Sequence, residues 1–186
     1  SFNRYWYPTT NETLVYATQQ SAAEEIRTLV NAARRKNSKC GVLTSQANDS
    51  WYGISQSTVD YFGRWKAGNY MLKREFAPIL AIAEQKENDI TFYVSNETHE
   101  QICGTLHYAV IDNRNIPLLT GDIDVNVERF TTKEVLKKDL SSVFLGNEDE
   151  CYLLVCLANG SNILSKSTLM FTKSGETSPV NQKSFK

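Results

Sequence analysis

The chain has 186 residues, 41% of them hydrophobic and 22% charged, with a formal net charge of −1. That length holds one ordinary domain, or a small domain with part of another. Acids and bases mixed at near-neutral charge argue against a nucleic acid or an anionic membrane as partner, and no apolar run approaches the ~20 residues that cross a bilayer.

The opening, "SFNRYWYPTT", carries no Met and no apolar leader segment, and reads as the interior of a longer chain. Thr9, Thr10, Asn11 and Glu12 then give a capping-box pattern. Leu14, Ala17, Ala22, Ile26, Leu29, Val30 and Ala33 follow at helical spacing, and Arg34, Arg35 and Lys36 suit the negative end of a helix. "CGVLTS" at 40–45 predicts a short buried parallel strand. A turn rich in aromatic and amide side chains comes next, with Ser55 or Ser57 placed to cap a second helix. Phe62, Trp65, Met71, Leu72 and Phe76 line that helix and Pro78 stops it. Helix, strand, helix is one unit of an α/β fold. A lone parallel strand has two unpaired edges, so this portion is expected to expose apolar faces unless something else covers it.

After Pro78 the period changes to two. "ITFYVSN" (90–96) and "ICGTLHYAVID" (102–112) alternate, and Asn113, Arg114 and Asn115 predict a turn into "IPLLTGDIDVNV". A short amphipathic piece at 132–144 precedes "CYLLVCLA", and Asn159-Gly160 predicts a hairpin into "NILSKSTLMFT". Six or seven short strands with regular turns point to an antiparallel immunoglobulin-like sandwich at 79–172. Its core is expected from Phe92, Val94, Leu106, Tyr108, Val110, Leu153, Val155, Leu169 and Phe171, with Tyr93 and Tyr152 on outer faces. The tail, 173–186, is polar. The fold class is therefore α+β, with domains at 1–78 and 79–172.

Candidate chemistry is sparse. The chain contains no GxSxG, P-loop, HExxH or GxGxxG pattern. His99 and His107, its two histidines, have no nucleophile in a convincing context. Glu24 and Glu25 are neighbours on a helix and point apart, so they do not form the facing carboxylate pair of a glycosidase. Asp49 is the one acid in a turn able to line a pocket. The four cysteines (Cys40, Cys103, Cys151, Cys156) lack zinc-type spacing and read as small buried hydrophobes; on one strand Cys151 and Cys156 fall on opposite faces. No metal site and no cofactor are expected. Asn11, Asn48, Asn96 and Asn159 begin glycosylation sequons, at a density that chance supplies in a chain rich in Asn, Ser and Thr, so compartment stays open.

The stretch "GVLTSQANDSWYGISQSTVDYFGRWKAGNYMLKREFAPIL" resembles the end of the catalytic barrel in β-mannosidases of glycoside hydrolase family 2. Gly41, Leu43, Gln46, Asn48, Asp49 and Trp51 fit the first block of that pattern. Ser57, Asp60, Tyr61, Gly63, Arg64, Trp65, Lys66 and Tyr70 fit the second, and Phe76, Ala77 and Pro78 the third. Downstream, Val94, Asn96, Glu97 and Thr98, and then Gly104, Leu106 and Tyr108, are similar to the sandwich that follows.

The resemblance implies that 1–78 is the last helix–strand–helix portion of a (β/α)8 barrel, whose strand C-termini form the active-site face. It implies a retaining glycosidase acting on terminal β-linked sugars, whose catalytic glutamates lie outside this chain, leaving the isolated chain inactive. The implied partners are a β-linked oligosaccharide, bound by the complete enzyme, and the rest of the barrel or another chain of that enzyme. Ser45, Asn48, Asp49 and Trp51 would lie at or behind the sugar pocket. Asn48 and Asp49 either brace the loop or touch sugar. Ser45 stands where the family carries a tryptophan wall, and Tyr52 and Asn69 replace its Pro and His. The alternatives are a non-catalytic carbohydrate-binding or interaction module, and a pseudoenzyme with a decayed site.

Overall fold

The computed structural model describes residues 8–36, 41–144 and 150–171. These fall into two compact units that divide between Ala77 and Pro78. Cys40 and the tail at 173–186 lie outside the described residues.

The first unit is built on α1 (Asn11–Arg35) and α2 (Ala67–Glu75). Thr10 is the N-cap of α1, and its reciprocal partner is Thr13 rather than Glu12: Thr13 N donates to Thr10 Oγ1, and Thr10 N donates to Thr13 Oγ1. Position N3 is therefore threonine, which uses its hydroxyl as a Glu would use its carboxylate. Ala17, Ala23 and Val30 form the buried face of α1, whereas Leu29 is half exposed. Gly68 of α2 faces this helix: a Cβ there would meet Ile26 Cδ1 at 3.1 Å, so the missing side chain sets how closely the helices approach. Arg34 is buried and its Nη2 donates to the carbonyl of Ala77 at 2.8 Å.

Two sequence expectations fail in this unit. Residues 41–46 form no strand, and Leu43 is almost wholly exposed. A strand is stabilised by a neighbour's ladder, and among the described residues none lies beside this segment. The second helix starts at Ala67, after the region that Ser55 and Ser57 would cap, and its first free N–H is instead satisfied by Gln19 Oε1 of α1, which accepts from Ala67 N at 3.0 Å.

The second unit is a two-sheet sandwich. β1 (Ile79–Lys86), β2 (Asp89–Asn96) and β5 (Thr131–Asp139) make one antiparallel sheet in the order β1-β2-β5. β3 (Ile102–Asp112), β4 (Pro117–Val127), β6 (Cys151–Asn159) and β7 (Asn162–Met170) make the other, ordered β4-β3-β6-β7. Phe92, Val94, Leu106, Tyr108, Val110, Leu153, Val155 and Phe171 are all buried between the sheets, as the alternation predicts, while Leu169 is partly buried. The turn after Asp112 and the Asn159-Gly160 hairpin also form as expected.

The amphipathic piece at 132–144 divides differently: most of it is β5, followed by the short helix α3 (Ser141–Phe144). A bulge between Phe92 and Tyr93 of β2 skips one residue of β5, so Val135 and Leu136 both reach the core. That break disguises the strand as a helical period. The β5 edge carries Lys133, Lys137 and Lys138, charges that discourage pairing with another chain.

Three residues of the resemblance have structural roles here. Asn96 is fully buried. Its Nδ2 lies within hydrogen-bond distance of the carbonyls of Glu100 (2.7 Å), Val127 (3.2 Å) and Glu128 (3.1 Å), while Oδ1 accepts from Thr98 N (3.0 Å) and Thr98 Oγ1 (2.7 Å). It clasps the β2–β3 and β4–β5 loops together, and its sequon is closed to a glycan. At Gly104 a Cβ would overlap the carbonyl oxygen of Ala158, so glycine lets β6 approach β3 where β6 shifts register against β7. Tyr108 lies over Gly121 of β4 in the same manner.

Candidate functional site

The loop between α1 and α2 is held by a few isolated bridges. Asn48 pairs in parallel with Val59, and Val59 pairs antiparallel with Trp65. Asp49 N donates to Val59 O (3.0 Å), Val59 N to Ala47 O (3.0 Å) and Lys66 N to Thr58 O (2.9 Å). Three short segments thus lie side by side without building a sheet.

Lys66 locks them together. Its ammonium donates to Asp49 Oδ2 (2.7 Å), Ser57 Oγ (2.8 Å) and Ser55 Oγ (3.1 Å), which uses all three of its protons. Ser55 donates in turn to Asp49 Oδ1, and Ser57 to the carbonyl of Val59 at 2.9 Å. The Lys66 and Asp49 side chains are only 14% and 6% exposed, so the pair is largely shielded. The Lys66 ammonium, and after it the Ser55 hydroxyl, lower the Asp49 carboxyl from 3.8 to about 2. At neutral pH Asp49 is a fixed carboxylate with both oxygens engaged, a poor proton donor.

A second carboxylate shapes the next turn. Asp60 Oδ1 accepts from Phe62 N (2.9 Å) and Arg64 N (2.8 Å), and Oδ2 accepts from Arg64 Nε (2.6 Å). Gly63 takes φ +79° there, a conformation that disfavours other residues. These hydrogen bonds lower the Asp60 pKa despite an opposing desolvation. Glu75 behaves in the opposite sense. It is buried on α2, desolvation raises its pKa, and Arg27, Arg74 and Arg34 oppose the rise.

Of the residues singled out in the sequence, Asn48 and Asp49 lie together on the bridge to Val59. The Asn48 amide reaches only the carbonyl of Asp49, at 3.4 Å. Ser45 is exposed beside Gln46, whose φ is +60°, and Trp51 is 76% exposed. The sequence reading missed Lys66, Ser55 and Ser57 as partners of Asp49. Lys66 lies 17 positions from Asp49, with Asp60 and Arg64 between them, so opposite charge by itself did not single the pair out.

Elsewhere, His107 contacts Asp122 on an exposed sheet face (Nδ1 to Oδ1, 2.6 Å), and His99 meets Phe130 edge-on. Tyr152 donates its hydroxyl to Asn115 Oδ1 at 2.7 Å. Cys151 is buried, Cys156 half-buried and Cys103 exposed, so only the first fits the reading of a buried small hydrophobe. Among the described residues no group of three His, Cys, Asp or Glu converges to hold a metal, and no helix is long and apolar enough to cross a membrane.

Residues 88–174 match the family described as "Mannosidase Ig/CBM-like domain". Beta-mannosidase A of Aspergillus oryzae is 23% identical over 177 residues, covering 89% of this chain and 19% of that protein. Beta-mannosidase of Mus musculus is 31% identical over 108 residues, covering 50% of this chain and 12% of that protein. The crystal structure of the beta-D-mannosidase of Dictyoglomus thermophilum superposes with a TM-score of 0.78 at 22% identity, over 91% of this chain and 21% of that one. The chain resembles the C-terminal portion of a β-mannosidase of glycoside hydrolase family 2. The exo-chitosanase of Amycolatopsis orientalis shares the fold, with a TM-score of 0.74 at 15% identity over 93% of this chain and 21% of that one. This β-mannosidase-like chain spans about a fifth of the fungal relative's length.

Proposed function

We propose that this chain is the C-terminal portion of a β-mannosidase-like retaining glycosidase that acts on terminal β-linked sugars. In this reading residues 1–78 complete a (β/α)8 barrel and residues 79–172 form the sandwich that follows it in the chain. One observation carries the reading: the similarity to the fungal β-mannosidase A runs through 177 residues, across both units in the same order.

Retaining hydrolysis needs two carboxyl groups ~5–5.5 Å apart, one of them able to hold a proton near neutral pH. Asp49 is held at about 2 by Lys66, and Asp60 is tied to Arg64, so neither suits the acid role. In this reading the catalytic glutamates lie outside this chain, as the likeness to the family implies. Ser45, Asn48, Asp49 and Trp51 lie at or behind the sugar pocket in this reading, with Asp49 bracing the loop rather than touching sugar.

The test is an assay of the longer protein from the same gene, and of this chain alone, on aryl β-mannoside and on other aryl β-glycosides. The longer protein is expected to hydrolyse the mannoside with retention, and the chain to hydrolyse none. Absence of any β-glycosidase activity in the longer protein overturns the reading, and sugar binding without hydrolysis makes it a pseudoenzyme.

A further inference from the structure

The buried face of α2 is Gly68, Met71 and Glu75, at helical spacing, and Gly68 packs on Ile26 of α1. Glu75 therefore occupies a core position of the helix pair and is only 4% exposed. On α1, the spacing of Glu24, Arg27, Asn31 and Arg34 puts four polar side chains on one face. Of the charges that act on Glu75, Arg27, Arg34 and Glu24 come from α1, and Arg74 from α2 itself.

The two arginines of α1 are engaged elsewhere. Arg27 Nη2 lies 2.5 Å from Glu24 Oε2, and Arg34 Nη2 donates to the carbonyl of Ala77 at 2.8 Å. Among the described residues Glu75 has no ion pair or hydrogen bond, so the arginines reach it only as charges at longer range. The polar face of α1 holds the converse defect: Asn31 Oδ1 is buried with no donor among the described residues. A carboxylate stripped of water without a donor is costly, whereas a neutral carboxyl costs less and brings an O–H of its own. Desolvation is accordingly the largest influence on Glu75 and raises its pKa above 4.5; Glu24 adds to the rise and the arginines oppose it.

We propose that Glu75 is a proton-operated lock between α1 and α2: in mildly acidic solution the packed helices hold it protonated, and losing the proton towards neutral pH loosens them. A carboxyl that binds its proton more tightly in the folded chain than in the unfolded one stabilises the fold fully below the unfolded pKa. That contribution is lost as pH rises through the folded value, so the helix pair is firmest in mild acid. Asp49 acts in the opposite sense, and only towards pH of about 2, so the two windows are separate.

The experiment follows thermal unfolding of this chain at 222 nm between about pH 5 and about pH 7.5, at constant ionic strength, for the unaltered protein and for Glu75→Gln, its neutral isostere. The unaltered chain should unfold at a lower temperature as pH rises. Glu75→Gln should lose most of that dependence and, at the neutral end, unfold at the higher temperature of the two. An unchanged pH dependence in the variant overturns the proposal. So does a variant that is less stable or unfolded at neutral pH, since Glu75 would then be a charged partner of the arginines. Carbon-13 NMR of the glutamate carboxyls in the unaltered chain gives an independent reading. The Glu75 resonance should titrate above 4.5, and a midpoint at or below that value overturns the proposal by itself.

Discussion

At the scale of single residues, polar side chains in this chain fasten loops that lack regular structure. Asn96 is the clearest case, with its amide nitrogen and oxygen both engaged across two loops. Asn96→Ala leaves several buried backbone groups without partners, at about 1–3 kcal/mol each. We expect the sandwich to lose at least ~3 kcal/mol in a denaturant titration, and no glycan to appear at Asn96 on expression in a glycosylating host. Asp49 gives a pH signature. Its folded pKa of about 2 lies below the ordinary 3.8, so its contribution is complete above pH 4 and disappears as pH falls towards 2. Loop order, read from tryptophan fluorescence of Trp51 and Trp65, should fall across that window, and Asp49→Asn should remove this acid transition. Both residues were visible in the sequence, Asn96 in a sequon and Asp49 in a candidate pocket. Their partners were not, because Lys66 lies 17 positions from Asp49 and Val127 lies 31 from Asn96.

Among the elements, the contact between α1 and α2 turns on Gly68. Gly68→Ala gains ~1 kcal/mol of helix propensity and places its methyl 3.1 Å from Ile26 Cδ1, the end of a flexible side chain. Those effects oppose each other, so Gly68→Ala is expected to be near neutral. Gly68→Val adds bulk with no such gain and should cost about 1–3 kcal/mol. Thermal unfolding followed at 222 nm, which reports mainly on the helices, separates the two. Helix α1 was legible because its apolar residues recur at helical spacing. Helix α2 was placed too early, since Phe62 and Trp65 match that spacing while pointing into solvent. Strand β1 was not singled out, because its buried run Leu80, Ala81 and Ile82 does not alternate, and β5 was hidden by its bulge.

At the scale of the whole molecule, the buried apolar cluster between the two sheets is what the second unit is built around. Phe92 is fully buried and packs on Tyr108 with ring centroids 4.9 Å apart. Phe92→Ala should cost about 3–5 kcal/mol, and Val155→Asp, which buries a charge without a partner, should prevent the second unit from folding. Near-UV circular dichroism and urea titration measure both. A small loss on Phe92→Ala would mean that the two sheets do not share one core.

Local pattern by itself determined the helix at the start, most strands after Pro78, the hairpin at Asn159-Gly160, and which side chains face the core. These follow from periodicity and turn chemistry, which act over a few residues. The motif likeness to β-mannosidases was equally a property of the sequence. Tertiary structure alone decided that residues 41–46 have no ladder among the described residues, since a strand exists only beside a partner. It also decided that Asp49 serves a loop clasp with Lys66, because an ion pair depends on what the fold brings within about 3 Å.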